Sequence, residues 1–223
     1  GFPPSEPLAM AFFRERSQRN RFRDFLDSSS DWYLATLLAT TAVSQLVRLG
    51  PRPVTVLDLG CGRGGFCRWL CDHSKSPVRY FGVDQDPGVI ALCESKLGGR
   101  GTFLCADARR LDTHVADADA IFAINLFPYL INPLPILASC RDLLRPGGFL
   151  LSRDPEDSLF WKHELPGFGL TLRGVRDWMP IASESGWRIL EIASLGFFSL
   201  LGRPVVPIAN AIVLVPQDTT VHS

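Results

Sequence analysis

Val56-Leu57-Asp58-Leu59-Gly60-Cys61-Gly62-Arg63-Gly64-Gly65-Phe66 is the stretch that decides the fold. A short apolar run passes into a glycine-rich turn, and a helical pattern opens directly behind it. Strand, glycine turn and helix form the first unit of a doubly wound α/β sheet. Glycines at 60, 62 and 64 let the backbone turn tightly and meet a ligand with no Cβ in the way. The start of the next helix offers free N–H groups to a carboxylate or phosphate. Gly60, Gly62 and Gly65 also satisfy G-x-G-x-x-G, a pattern that a nicotinamide or flavin site fits as well.

Outward from this stretch the alternation continues. Val54–Leu59 reads as a buried strand, Gly64–Cys71 as a helix, Val78–Val83 as a second strand and Pro87–Leu97 as a second helix. Thr102–Cys105 and Ala118–Ile124 read as strands, Pro133–Leu144 as a helix and Gly148–Ser152 as a fifth strand. Such alternation predicts a sheet that is parallel in its centre. Gly174–Ser185 reads as a further helix. Two apolar strands follow, Trp187–Ser194 and Ile208–Val215, joined by a long Gly/Pro-rich loop. No helix-length segment separates them, so they are expected to pair antiparallel. Residues 1–50 form a separate helical extension, with patterns over Ser5–Leu26 and Asp31–Leu49, and residues 51–223 form the core.

Composition narrows the classes. The 223 residues carry 23 basic and 23 acidic side chains, which excludes a polybasic nucleic-acid binder and an acidic tail protein. With 46% hydrophobic and 21% charged residues, the chain packs rather than staying disordered. Only three of the basic residues are lysine. The six cysteines form no C-x-x-C, so no metal site is expected; free thiols suit a reducing compartment. No leader pattern is recognised, and the apolar stretch Ile189–Val215 is broken by Gly196, Gly202, Arg203, Pro204 and Pro207. A cytoplasmic protein with no membrane partner is the expectation.

Three acids separate the ligands that a glycine loop admits. Asp84 ends the second strand, 26 residues past Asp58 (84 − 58), where a carboxylate takes both hydroxyls of a ribose. Asp107 follows the third strand and suits an exocyclic adenine amine. Asp58 places negative charge where a diphosphate needs none. Three acids without a nearby lysine suit adenosine joined to an amino acid better than a dinucleotide.

Asp58–Gly64, D-L-G-C-G-R-G, resembles motif I of the class I S-adenosylmethionine (SAM)-dependent methyltransferases. Val83-Asp84-Gln85-Asp86 is similar to their second-strand motif, and Ala106-Asp107-Ala108 to their adenine-contact motif. Leu143-Leu144-Arg145-Pro146-Gly147-Gly148-Phe149-Leu150 resembles their fifth-strand signature. The resemblance covers about residues 50–215. It implies a Rossmann-like seven-stranded α/β sheet, mostly parallel with an antiparallel last strand, and SAM as cofactor. Gly60 and Gly62, with Cys61 between them, are implied to line the methionine and ribose. Asp58 is implied near the amino group, directly or through water. Asp84 is implied at the ribose hydroxyls, Asp107 at the adenine amine, the Ala108 N–H at an adenine ring nitrogen and Gln85 beside the adenosine. Asn125 and Leu126 are implied at the methionyl end.

Methyl transfer from a sulfonium is an in-line displacement, and a base is needed only when the acceptor is protonated. Ile124-Asn125-Leu126-Phe127-Pro128-Tyr129 lacks the Asn/Asp-Pro-Pro-aromatic pattern of amino methyltransferases acting on DNA bases or glutamine amides. The looser sequence resembles small-molecule methyltransferases, with transfer to O or N. Acceptor contacts are expected from residues 1–50, 125–135, 153–173 and 195–207. His163 and Asp154 are the leading general-base candidates and Tyr129 the third. Phe160, Trp161, Phe197 and Phe198 are candidates for an apolar wall, and Trp32 and Tyr33 for a lid. Arg14, Arg16, Arg19, Arg21 and Arg23 make a basic stripe. The extension's six arginines face five acids, so a solvated face is expected and nucleic acid is not. A SAM-binding protein with a non-methylating reaction, and an RNA or protein methyltransferase, are the alternatives. The oligomeric state is left open, a homodimer among the options.

Overall fold

The computed structural model describes residues 41–48, 52–111, 117–155, 170–200 and 203–217. Its first strand, β1 (Val54–Leu59), shows why the sheet is central. Val54 and Val56 enter one hydrophobic cluster, while Leu57 and Leu59 enter another. Side chains alternate across a strand, so an apolar run of this kind is buried on both faces.

The first face is covered by α1 (Thr41–Arg48), α2 (Gly65–His73) and α3 (Pro87–Leu97), which bury Val43, Leu46, Cys67, Leu70, Ile90 and Cys93. The second is covered by α4 (Leu134–Leu143) and α5 (Val175–Glu184), through Ile136, Leu137, Cys140, Trp178 and Ala182. The α3 start is fixed by Asp86, whose side chain accepts from the Gly88 and Val89 amides, with Pro87 at the first position.

The other strands are β2 (Val78–Asp84), β3 (Thr102–Cys105), β4 (Ala118–Ile124), β5 (Leu144–Pro155), β6 (Trp187–Leu200) and β7 (Arg203–Pro216). They form one seven-stranded sheet in the order β3-β2-β1-β4-β5-β7-β6. β1 to β5 run parallel, and β7 is antiparallel to both its neighbours. Strand order reverses between β1 and β4, and ligands of open α/β sheets bind in the crevice beyond the carboxyl ends at that point.

The terminal hairpin departs from expectation. Residues 195–207 read as a loop, yet the ladder runs on through Gly196↔Pro207, Phe197↔Val206, Ser199↔Pro204 and Leu200↔Arg203. The pairing of β7 with β5 ends at Ala209↔Pro155. Beyond it, among the described residues, β7 pairs with β6 alone, and prolines are tolerated on such an edge. Pairing with β7 also carries β5 past Ser152 to Pro155. The patterns over Ser5–Leu26 and most of Asp31–Leu49 lie outside the described residues.

Asp119 ties the amino ends of three strands together. Buried in β4, it accepts from Arg52 Nη2 at 3.0 Å and from the Thr55 amide at 2.8 Å, and it pairs with Arg145 of β5. Both arginines reach solvent, with side chains 44% and 35% exposed, and rehydrate if the acid is lost. Asp119→Ala is therefore expected to lower unfolding stability by about 2–3 kcal/mol, chiefly through the orphaned Thr55 N–H and lost charge pairing. Urea unfolding checks this; a midpoint unchanged from wild type contradicts it.

Candidate active site

The glycine loop is held from both sides. Gly60, Gly62 and Gly64 all adopt positive φ (70°, 51° and 74°). The Gly60 and Cys61 amides donate to Val83 O at 2.8 and 3.0 Å, pinning the loop to the end of β2. The Gly62 amide donates to Asp84 Oδ2 at 3.1 Å, and Cys93 Sγ donates to Gly62 O at 3.1 Å. A Cβ at Gly64 would stand 2.5 Å from Leu97 Cδ1, so this glycine allows α3 to pack closely. Among the described residues, a Cβ at Gly62 would instead meet only Gly60 O, at 4.0 Å. The Gly62 side of the loop is an open cradle.

Gly62→Ala therefore tests the cradle. The αL backbone costs about 1–2 kcal/mol for an L-residue, which leaves the domain folded. The new methyl enters the space a ligand takes. SAM affinity is expected to fall at least about tenfold in calorimetry. Unchanged affinity would place the ligand elsewhere.

Asp84 ends β2 half-buried, its Oδ1 accepting from the Asp86 amide at 3.0 Å and its Oδ2 from Gly62. An ionised carboxylate offers about four lone-pair positions, so room remains for ribose hydroxyls. Gln85 is exposed beside it. Asp107 caps the single turn Ala108–Arg110, accepting from the Arg109 amide at 2.9 Å. Arg109 also clasps it through Nε at 2.9 and 3.0 Å and Nη2 at 2.6 Å, and holds its carboxyl below the usual range. An adenine amine must share this carboxylate with Arg109.

Asp58 is buried on the face covered by α1 and α2, and Tyr80 OH donates to its Oδ2 at 2.5 Å. Burial pushes its carboxyl up to about 7; the Tyr80 bond opposes this and the Asp84 charge adds to it. Around the cradle, the acid set suits a cationic, ribose-bearing ligand. The residues present fit SAM.

Across the switch point, Asn125 follows β4 at φ 56°, a conformation that asparagine tolerates better than most residues. Its amide donates to Arg153 O at 2.7 Å, and Arg153 Nη1 donates to Asn125 Oδ1 at 2.8 Å. The Leu126 side chain lies 3.3 Å from where a Gly60 Cβ would stand, so this turn abuts the glycine loop. The structure thus brings together Asp58, Gly60, Cys61, Gly62, Asp84, Asn125 and Leu126. Ala108 and Asp107 stand at the end of β3.

The base candidates fall differently. Tyr129 is half-buried in the turn Phe127–Tyr129. Asp154 was expected in a loop, but β7 pairing draws it into β5, opposite Asn210. It is buried, accepts from Ser152 Oγ, and its Oδ1 has no aligned hydrogen bond among the described residues. Alternation turns it to the face away from Asp58 and Arg153. Burial pushes it up to about 7; Ser152, then Arg153, the Phe127 backbone and Arg173 oppose the shift. His163, Phe160, Trp161, Trp32, Tyr33 and the arginine stripe lie outside the described residues. Phe197 and Phe198 fall within the β6 ladder.

Two arginines escaped the sequence reading as site residues. Arg153, named only as part of a loop, is fully buried in β5. Arg173 is buried at the end of the segment 153–173 expected to carry acceptor contacts, and donates to Phe127 O at 2.9 Å, Leu130 O at 2.7 Å, Ile131 O at 2.9 Å and Thr171 O at 3.3 Å. It fixes the loop beyond Leu126. Neither carries a local sequence signal, because both act through tertiary neighbours. Among the described residues, no helix is long and apolar enough to cross a membrane.

Residues 57–152 match the family model of a methyltransferase domain. The human mitochondrial citrate synthase-lysine N-methyltransferase is 32% identical over 126 residues, 47% of this chain and 52% of its own length. The ubiquinone biosynthesis O-methyltransferase of Dinoroseobacter shibae is 23% identical over 176 residues, 75% of this chain and 70% of its own. The chain thus spans about half the length of the human relative. Among solved structures, the plantazolicin methyltransferase BpumL, in complex with a monoazolic desmethylPZN analog and SAH, superposes with a TM-score of 0.72. It covers 94% of both chains at 15% identity, which speaks for the fold.

Strand order, glycine loop and matched segment agree on a doubly wound methyltransferase fold. Residues 57–152 match a methyltransferase domain, and the sheet around them has the strand order of the class I SAM-dependent methyltransferase fold.

Proposed function

We propose that this chain is a SAM-dependent methyltransferase that methylates an O or N atom of a small-molecule acceptor. The observation that carries the reading is Asp84 at the carboxyl end of β2, bonded to the Gly62 amide beside an open cradle. In this reading Gly60, Cys61 and Gly62 hold the methionine and ribose, Asp84 the ribose hydroxyls and Asp58 the amino end. Asp107 and the Ala108 N–H hold the adenine, with Gln85 beside it. Asn125 and Leu126 face the methionyl end. Bound there, SAM supplies an electrophilic methyl. The chain's own task is to align an acceptor lone pair with it and exclude water. Tyr129, His163 and Asp154 stay as base candidates, of which Tyr129 alone lies on the loop following Asn125. Six free cysteines support a reducing compartment, the cytoplasm.

A protein-lysine acceptor is the second reading, favoured by the 32% identity to the human lysine N-methyltransferase. Incubation with methyl-labelled SAM decides between them. Label is expected in small phenols, acids or amines rather than in lysine peptides or RNA. SAM turnover without label transfer points to a non-methylating reaction.

A further inference from the structure

Arg153 lies on the same sheet face as Asp58. The registers Asp58↔Phe122↔Leu151 and Ile124↔Arg153 place it two residues nearer the carboxyl ends, on the far side of the switch point. It is 0% exposed, and its Nη1 is 2.8 Å from Asn125 Oδ1. A guanidinium carries donors only. The Asn125 atom that faces it is therefore the carbonyl oxygen, and the NH2 group is the end left to other partners. Asn125 is itself pinned by its amide bond to Arg153 O at 2.7 Å. Its turn abuts the glycine loop through Leu126. The two halves of the crevice thus differ in sign. Asp58 and Asp84 stand on the β1–β2 side, and a buried cation with an oriented amide stands on the β4–β5 side, where the neighbouring Asp154 of β5 feels the Arg153 charge but turns to the opposite sheet face.

We infer that the Arg153–Asn125 pair sets the polarity of the acceptor subsite and selects a nucleophile bearing an anionic oxygen: a carboxylate or phenolate, not an amine. The inference rests on the methyltransferase reading and names its acceptor class. A protonated amine meets like charge there, and a neutral amine finds a donor where its own N–H needs an acceptor. An oxyacid meets the cation behind the amide, which favours its ionised form. Its proton leaves to solvent before transfer. The oxygen lone pair then forms the new bond to the methyl as the sulfur–methyl bond breaks. That bonding pair returns to sulfur, leaving a neutral thioether. No protein base is required for such an acceptor.

The test uses the whole chain with SAH bound, titrated with benzoate, 4-nitrophenolate and benzylamine; methyl-labelled SAM replaces SAH for turnover. At least one of the two oxyanions is expected to bind about tenfold or more tighter than benzylamine, and labelled ester or ether to outrun labelled amine by a like factor. Arg153 acts through Asn125 as a positioning residue, so its readout is this ratio. Arg153→Gln keeps a donor toward Asn125 but drops the charge, and is expected to shrink the preference to about threefold or less. Arg153→Lys keeps the charge and retains the preference. If neither variant folds, the wild-type ratio decides alone. Equal binding, binding of none of the probes, faster amine methylation, or an unaltered ratio in a folded Arg153→Gln overturns the inference. Failure of wild type to bind SAH overturns the methyltransferase reading itself, and the same titration reports it separately.

Discussion

Asp84→Ala is expected to remove measurable SAM binding. The carboxylate has two duties. It holds the Gly62 amide at 3.1 Å and the Asp86 amide at 3.0 Å, which shapes the loop. Its remaining lone pairs are the ones the proposed reading gives to both ribose hydroxyls. Hydrogen bonds to a charged group contribute about 1.5–3 kcal/mol each, so losing two ligand bonds lowers affinity by roughly two to four powers of ten. The loosened loop adds to the loss. Asp84 is only half-buried, so the variant is expected to stay folded. Asp84→Asn keeps the shape and one acceptor oxygen, and is expected to fall between the two. Isothermal calorimetry with SAM measures all three proteins. Wild-type affinity in a folded Asp84→Ala protein would refute the cofactor assignment.

The same residue shows what was legible in the sequence. Val54–Leu59, Thr102–Cys105 and Ala118–Ile124 are apolar runs bounded by turn residues, and their limits agree with the structure. The loop-to-strand pairing of Gly62 with Asp84 follows from the parallel neighbours β1 and β2. Contacts set by register across the sheet were not legible. Asp154 belongs to a strand because β7 pairs beside it, and its partner there, Asn210, is more than fifty residues away (210 − 154 = 56). Arg153 reaches Asn125 for a similar reason, through the β4–β5 register. The hairpin tip was hidden by its Gly and Pro residues, which mark loops in a central strand but are admitted on an edge. Asp107 was read as a ligand contact, while the cap it forms and its clasp by Arg109 are local. That pairing lies two residues away and was open to a sequence reading.

Raising the pH from about 4 to 8 is expected to destabilise the ligand-free domain, contrary to the usual behaviour of paired carboxylates. Asp58 and Asp154 are both buried, and burial lifts each from 3.8 to about 7. The folded state therefore holds two protons that the unfolded chain releases near pH 4. Unfolding releases protons throughout this window, so stability falls as pH rises. The contribution is fully present below the unfolded value and is gone above about pH 7. Each decade of pH costs about 1.4 kcal/mol per group, so each acid accounts for about 4 kcal/mol at most. Asp107, held low by Arg109, acts in the opposite sense. It does so only as pH falls below the ordinary carboxylate range, outside the window from 5 to 8. Denaturant midpoints at pH 5, 6, 7 and 8 read the slope. Asp154→Asn replaces the acid by a neutral isostere and should remove about half of it. The variant should match wild type near pH 5 and exceed it by a few kcal/mol at pH 8. A variant less stable than wild type at pH 8, or a wild-type midpoint that rises with pH, contradicts the assignment. SAM binding should show the reverse trend, because the proposed reading puts its cationic amino group near Asp58, where it favours the ionised acid. Affinity is expected to climb toward pH 7, with a proton released that calorimetry in buffers of different ionisation enthalpy detects.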